Sequence, residues 1–399
     1  MLLNHKTWAA LLMSAFAATL VQAASVAAVP AWRADCVGYH TLSLPGDIEY
    51  AVAQRRFSDR LPVWGNSADV MTDKDALDGH TAIGLVMPAS IDDLNALMGD
   101  ANKEQQKKKK EFLEQAKWLD ETPEFAKDID PDGRERRDQR EKAGQVPFYQ
   151  PIPNHQAFGI KKVIPNLRNP PSEETEDWLE FQVLLGNRIV STSRKLSGTP
   201  QEVLERFLSH YRPREPFEVP TGPGVCLAYA AMNGEVQPAT VGVSIRLKDR
   251  PDIVVYLRDT IAGADTKSPD TQAVLKHILA LDLYATQRVD PMNKLRPTFE
   301  RVTLAGHEGL GAWVQLTRDP SKAGSFAVHN EANTNRDWAY VAFVPGDKSA
   351  PVGQSSDLTL RIERYGRFAK KPMSEKEFRE LASAIAASIQ RRPGAWVAR

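Results

Sequence analysis

WLEFQVLLGNRIVST, residues 178–192, is the stretch that decides the fold of this chain. Two runs rich in β-branched, aromatic and leucine side chains flank Gly186-Asn187. A two-residue loop of this kind joins antiparallel strands in a tight hairpin. The stretch therefore predicts strands over 178–185 and 188–192, and it makes an antiparallel sheet the starting point for the fold.

A helix is expected directly after this hairpin. Thr199 is a capping residue, Pro200 suits the first helical position, and Glu202 completes a capping box. The apolar side chains that follow recur at helical spacing and form one stripe, made of Val203, Leu204, Phe207, Leu208 and Tyr211. We expect this stripe to pack against the sheet.

The second half of the chain repeats this pattern of strands closed by a capped helix. Strands are predicted at 240–247, 253–257, 300–304, 310–317, 338–344 and 358–365, and Ser374 opens a capping box before an apolar helix face. Arg212–Gly224 (RPREPFEVPTGPG) separates the halves and is rich in proline and glycine. The prediction is an α+β protein of two domains, 24–215 and 220–399, each an antiparallel sheet with packed helices.

The N-terminus has the pattern of a secretory signal peptide. Lys6 precedes the uncharged, mostly apolar run Trp8–Val21, and Val21-Gln22-Ala23 offers suitable residues for a signal peptidase. The run of 14 residues is shorter than the roughly 20 that span a bilayer as a helix. We expect residues 1–23 to be removed, with a cut after Ala28 as the alternative, and the mature chain of about 375 residues to be soluble in the periplasm.

Residues 101–145 form a charged segment with 12 basic and 12 acidic side chains. A long helix is predicted from Ser90 to Leu119, and the favoured interpretation of the whole segment is a solvated helix followed by a flexible loop. A charged arm that contacts a partner is the alternative. Asp128–Gly133 also matches the first half of a calcium loop, but position 12 is Gln139 instead of a bidentate Glu. A turn is therefore the better interpretation.

Overall charge argues against nucleic-acid and membrane binding. The chain has 51 basic and 51 acidic side chains, and removal of Lys6 with the leader leaves a net charge of −1. A binder of nucleic acid or of anionic membranes needs a basic excess. We expect neither partner, and no stable membrane insertion after the leader is cleaved.

Cys36 and Cys226 are the candidates for a disulfide, because paired cysteines in an oxidising compartment are more often bridged than free. The bridge would close a loop of about 190 residues, which the chain-entropy model values at about 5 kcal/mol. Two buried thiols, one in each domain, are the alternative.

The sequence offers no catalytic, metal-binding or cofactor-binding constellation. Gly242–Arg246 resembles a serine nucleophile motif but ends in Arg and lies in a predicted strand. His307-Glu308 begins like a zinc protease motif, yet Gly311 replaces the second histidine. The seven histidines after the leader are scattered at positions 40, 80, 155, 210, 277, 307 and 329. We therefore predict that the protein is not an enzyme and needs no cofactor.

Several stretches resemble one family, the type VI secretion immunity proteins that neutralise class-four lipase effectors. The resemblance lies in Asp35–Tyr39 with Leu42–Pro45, in Gly224–Tyr229, in 241–253, in Gly306–Leu310 and in 338–345. It extends over most of the chain after the leader and leaves out the charged segment 101–145.

The resemblance implies a periplasmic binding protein without catalytic residues. Members of the family grip a lipase or phospholipase effector with two domains and hold its lid shut. The expected partner is thus one cognate lipase in a heterodimer, and no contact residue can be carried over from a motif. A periplasmic enzyme or small-ligand binding protein of unknown substrate is the alternative.

Overall fold

The structure is a computed structural model. It describes residues 31–51, 67–72, 84–86, 89–165, 175–234, 236–261, 270–279, 288–289, 299–317, 336–350, 354–366, 369 and 373–395. The predicted signal peptide, residues 1–23, lies outside the described residues and stays a prediction.

Short strands open the described chain: β1 (Trp32–Val37), β2 (His40–Pro45), β3 (Ile48–Tyr50), β4 (Ser67–Thr72) and β5 (Gly84–Val86). β1 and β2 form an antiparallel hairpin, which we call the N-terminal hairpin. Its turn contains Gly38 at φ 59°. A Cβ atom at Gly38 would collide with the Asp259 carboxylate, so the turn requires glycine for both conformation and space.

The charged segment consists of three helices: α1 (Ile91–Glu121), α2 (Pro123–Ile129) and α3 (Arg134–Gln145). The predicted start of α1 is confirmed, because Ser90 and Asp93 form a reciprocal capping box. The predicted flexible loop is wrong, since α3 packs against α1, and Ala116 and Leu119 of α1 and Ala143 of α3 are buried.

Buried Asp130 explains why α3 forms in so polar a segment. Its carboxylate accepts hydrogen bonds from the backbone N–H groups of Glu135 and Arg136, at 2.9 and 3.2 Å, and from Arg136 Nε at 2.9 Å. The two backbone donors lie in the first turn of the helix, where N–H groups have no acceptor within the helix itself. Asp130, the central acidic residue of the incomplete calcium motif, thus serves a turn between helices, as the sequence favoured.

The hairpin at 178–192 is confirmed and lies in a five-stranded antiparallel sheet. This sheet adds β6 (Gln150–Pro151), β7 (Ala157–Pro165), β8 (Thr175–Leu185) and β9 (Arg188–Lys195) to β5, in the order β5-β9-β8-β7-β6. The first turns of α1 cover one face through Leu94. α4 (Pro200–His210), with the predicted capping box of Thr199 and Glu202, packs Phe207 against Phe181 on the other face.

A small three-stranded sheet follows α4, with β12 in the centre. Its strands are β10 (Tyr211–Pro213), β11 (Gly224–Leu227) and β12 (Ala230–Asn233), and both pairings are antiparallel. The predicted boundary segment Arg212–Gly224 therefore runs from one strand of this sheet into another.

The remaining strands build a nine-stranded sheet. Its new members are β13 (Val236–Leu247), β14 (Ile253–Thr260), β15 (Arg288–Val289), β16 (Phe299–Leu304), β17 (His307–Thr317), β18 (Arg336–Val344) and β19 (Asp357–Arg364). The strand order is β15-β17-β18-β19-β14-β13-β3, with β16 also paired to β17 and β4 to β13. The predicted strands of the second half are confirmed, and each of their ends lies within four residues of the prediction.

Two helices pack on this sheet from opposite faces. α5 (Thr271–Ile278) packs Leu275 against β17 and β18. α6 (Glu375–Ala387), which has the predicted Ser374 capping box, buries Phe378 and Ile385 in the main core. The chain then forms β20 (Gln390–Arg391), which pairs with β2.

The described elements confirm the α+β class: they comprise six helices together with sheets in which every described pairing is antiparallel. Trp32–Arg399 forms one compact unit, and the main core takes residues from the five-stranded sheet, α4, the small sheet and the nine-stranded sheet. The division into domains 24–215 and 220–399 stays a prediction. Among the described helices, no segment has the length and apolarity needed to cross a membrane.

Candidate functional site: a buried junction

The two predicted disulfide residues meet in the interior. Cys36 on β1 and Cys226 on β11 are bonded, with their Cα atoms 5.7 Å apart, and both are completely buried. Beside them, Gly38 and Cys226 exchange two backbone hydrogen bonds of 2.8 Å. The structure therefore contains the bridge and not two separate thiols. We call the assembly of N-terminal hairpin, small sheet and C-terminal residues around this disulfide the junction.

A completely buried ion pair lies next to the disulfide. Arg214, from the Pro/Gly-rich segment, donates from Nη1 to Asp35 Oδ1 at 2.7 Å and from Nη2 to the Cys36 carbonyl at 2.9 Å. Its Nε donates to the carbonyls of Leu227 and Ala230. The Arg214 guanidinium thus links the N-terminal hairpin to the two residues that flank the turn between β11 and β12.

The carboxylate of this pair is also fully engaged. Asp35 Oδ1 accepts the backbone N–H of Cys36 at 2.7 Å, and Oδ2 accepts the Tyr50 hydroxyl. Burial raises the pKa of Tyr50 well above its usual value, so this side chain remains a hydrogen-bond donor. Because buried charges are costly unless they are paired and hydrogen-bonded, the network suits a permanently folded interior.

The chain end closes the junction from a third side. Arg392, which is 2% exposed, donates to the carbonyls of Pro220 and Gly222 at 2.6 and 2.8 Å, and also to the carbonyl of Gly224. Its backbone N–H donates to the Tyr39 carbonyl at 2.8 Å. The C-terminal residues therefore contact the N-terminal hairpin and the Pro/Gly-rich segment at once.

Two further contacts connect the junction to the large sheets. On one side, Asp259 of β14 accepts hydrogen bonds from the Tyr39 N–H at 2.7 Å and forms a 2.8 Å contact with His40 Nδ1. On the other side, Arg188 of β9 donates to the Tyr229 carbonyl at 3.2 Å and pairs with Glu215. The junction is thus bonded to the nine-stranded sheet through Asp259 and to the five-stranded sheet through Arg188.

Two features that bear on catalysis lie in or near this buried region. The buried His40–Asp259 pair has the geometry of a base with its orienting carboxylate, but its Asp259 oxygen is shared with a backbone N–H, and both side chains are at least 94% buried. Ser244, from the failed nucleophile motif, lies completely buried in β13. Within the described ranges, no three His, Cys, Asp or Glu side chains are placed to hold a metal ion.

The other described histidines lie on different elements. His155 lies 3.6 Å from Glu205, His210 contacts the Asn233 carbonyl, and His307 lies in β17. His277 is in α5, whereas His80 and His329 lie outside the described residues.

Sequence reasoning found the cysteines but missed the charged part of the junction. Asp35 directly precedes Cys36 in the sequence. This position was the one available signal that an acidic side chain lies beside the disulfide. Arg214 lies in a segment interpreted only as a boundary, and nothing near Arg392 marks it as buried. Asp35 lies 179 residues from Arg214, and the carbonyl of Gly224 lies 168 residues from Arg392, so no local pattern could reveal these two contacts.

No protein-family model and no curated protein matches this chain. Among solved structures it is similar to the immunity protein TplEi of the type VI secretion system of Pseudomonas aeruginosa in complex with "L" peptide, with a TM-score of 0.42 and 16% identity over 91% of this chain and 98% of that one. It is also similar to a chain of the Tle4–Tli4 complex, with a TM-score of 0.45 and 16% identity over 91% of this chain and 98% of that one. The apo structure of TplEi aligns with a TM-score of 0.40 and 16% identity, over 91% and 97%. Both TplEi structures are of an immunity protein of the type VI secretion system.

Proposed function

We propose that this protein is a periplasmic immunity protein that binds and inhibits a type VI secreted lipase or phospholipase. In this proposal, two parts of the chain grip the effector and prevent its lid from opening. The protein has no catalytic role and acts as one half of a heterodimer with its cognate lipase.

One observation carries the proposal. Two of the stretches with the family resemblance, Asp35–Tyr39 and Gly224–Tyr229, are about 190 residues apart in sequence, yet their cysteines are bonded at the centre of the junction. The resemblance therefore falls on residues that fix how distant parts of the molecule are placed. An inhibitor that acts by shape needs such rigid placement, because each contact surface must be ready before the partner arrives.

The environment of the disulfide agrees with export. Structural disulfides form and persist in oxidising compartments such as the periplasm. A phospholipase that attacks the membrane from the periplasm would meet its inhibitor there. The predicted signal peptide at residues 1–23 would supply the route.

The decisive experiment uses the mature chain and the lipase encoded beside it, identified by a G-x-S-x-G motif. The two proteins should co-purify, and hydrolysis of phosphatidylethanolamine–phosphatidylglycerol vesicles should fall to background at equimolar inhibitor. If the lid is held shut, a serine-reactive phosphonate should fail to label the complexed lipase in detergent. Absence of binding, or full activity at excess inhibitor, would refute the proposal. Substrate turnover by the mature chain alone would favour the alternative of a periplasmic enzyme.

A further inference from the structure

The C-terminal tail, residues 390–395, lies between parts of the junction that are far apart in sequence. β20 pairs with β2, and the Arg392 N–H bonds to the Tyr39 carbonyl on the N-terminal hairpin. On its other side, the Ala395 carbonyl accepts the N–H of Gly224 at 3.0 Å. The tail therefore joins the N-terminal hairpin to the start of β11.

The Arg392 side chain supplies hydrogen-bond donors that the Pro/Gly-rich segment lacks. Arg212–Gly224 contains four prolines, which have no N–H and so cannot continue a strand ladder. Three carbonyls of the segment, those of Pro220, Gly222 and Gly224, instead accept the Arg392 guanidinium. Since a guanidinium offers five donors in a fixed planar fork, it fixes the carbonyls relative to one another.

Close backbone contact adds to this bonding. Gly394 has a φ of 70°, and a Cβ atom there would lie 2.8 Å from the Thr221 carbonyl oxygen. Gly224 has a φ of 127°, and a Cβ atom there would collide with the Met232 carbonyl. The tail thus approaches the segment closely at Gly394, and the segment approaches β12 closely at Gly224, so glycine is required at both positions.

We propose that Arg392 is a positioning residue for partner binding. From the C-terminal tail it fixes the course of Arg212–Gly224, and with it the placement of the small sheet that bonds to both large sheets through Arg188 and the N-terminal hairpin. The free protein then already holds its contact surfaces in the arrangement that fits the lipase. This role rests on the proposed function of the protein as a lipase inhibitor.

The expected effect of losing Arg392 follows from population arithmetic. If the segment can take several courses, only a fraction of free molecules is competent to bind, and apparent affinity falls by that fraction. A competent fraction of about one tenth gives about tenfold slower association. Dissociation stays close to its wild-type rate, because the contacts within the complex are unchanged.

Two variants and one control test the role. Arg392→Met removes the guanidinium but keeps much of its apolar stem. Gly394→Ala keeps Arg392 and forces the tail away from Thr221. Arg391→Met is the matched control, because the exposed Arg391 side chain donates to the carbonyl of Gln354, which lies outside the segment.

Amide exchange and binding kinetics are measured together on the mature chain. We expect faster exchange at Gly224 in both variants, unchanged exchange at Val255 in the nine-stranded sheet, and about tenfold slower association with a lipase whose nucleophile is inactivated. The control should match wild type in all three. If Arg392→Met also speeds exchange at Val255, the variant is unfolding globally, and Gly394→Ala alone decides the question.

The outcomes separate the two proposals. If wild type binds the lipase and both variants associate at the wild-type rate, the positioning role is wrong and the proposed function stands. Equal loss in the Arg391→Met control also overturns the role of Arg392. If wild type itself does not bind, the proposed function fails and the positioning role fails with it.

Discussion

At the scale of single residues, two of the molecule's ion pairs differ in how strongly stability depends on them. Arg214 and Asp35 are both completely buried, whereas the side chains of Arg33 and Asp47 are 45% and 66% exposed. An exposed pair contributes little because water screens it and its side chains lose entropy. A buried pair is different, because removing one partner leaves an uncompensated charge in the interior.

This difference gives a prediction for stability. Arg214→Met leaves the buried Asp35 carboxylate without its cation and should lower the free energy of unfolding by about 3–5 kcal/mol. Asp47→Asn, at the exposed pair, should change it by less than about 1 kcal/mol. Urea denaturation of the oxidised mature chain measures both. A loss below 1 kcal/mol for Arg214→Met would show that the network does not stabilise the junction.

A second prediction at this scale concerns pH. Burial alone would raise the pKa of Glu180, but hydrogen bonds from Lys162 and from the Tyr149 hydroxyl, at 2.5 Å, outweigh it and hold the pKa below its usual range. The unfolded chain, with a Glu pKa of about 4.3, then binds this proton more readily than the folded chain. The stability that Glu180 contributes is therefore present above about pH 5 and is lost as pH falls through the lowered folded pKa.

Lys162→Met should remove much of this dependence. Wild type should exceed the variant in urea midpoint at pH 7, and the difference should shrink toward pH 3. Lys161→Met is the control, because Lys161 is the neighbour of Lys162 on β7 and lies on the opposite face of this strand. This variant should follow wild type at every pH. A difference between wild type and Lys162→Met that does not depend on pH would contradict the pKa argument.

At the scale of elements, the helices of the charged segment depend on one buried carboxylate. Asp130→Ala removes the acceptor for three N–H groups at the start of α3, so this helix should open more often. Trypsin should then cleave within 134–142, where arginines are frequent, several-fold faster than in wild type. Asp132→Ala, which removes an exposed contact to the Arg134 side chain and the acceptor of a single backbone N–H of α3, is the control and should accelerate cleavage less. Equal cleavage of the two variants would mean that Asp130 does not hold the helix.

The elements that the sequence predicted well are those with local signals. The capping boxes at Thr199 and Ser374 and the loop Gly186-Asn187 involve residues within a few positions of each other, and all three form as expected. α3 was missed because its support is not periodic: Asp130 precedes the helix, and Ala143 packs on a different helix. The part of the charged segment after α1 was therefore interpreted as a flexible loop, although it forms α2 and α3.

At the candidate site, local sequence signals predict even less of the structure. The count of two cysteines allowed the pairing of Cys36 with Cys226 to be suspected. The pairing of Asp35 with Arg214 and of Arg392 with Gly224 depends on contacts across 179 and 168 residues, which only the folded chain defines. These residues are identified by their burial in the folded chain and not by their spacing in the sequence.

At the scale of the whole molecule, export and binding should be separable. A chain without residues 1–23 should still bind the lipase after oxidative refolding in vitro, because the junction is built from residues after the leader. It should fail to protect cells, because it would not reach the compartment in which the lipase acts. Survival of competed cells, with the full-length chain as control, measures this. Full protection by the leaderless chain would show that export is not required.

The disulfide also gives the molecule a topology. The peptide chain from Cys36 to Cys226, closed by the bond between their sulfurs, is a covalent ring that includes α1, α2, α3 and the five-stranded sheet. One cut anywhere in a ring opens it without releasing a piece. A molecule nicked in α3 would therefore migrate as one species without reductant and as two with it, and a single cut in this polar helix would leave the protein in one piece.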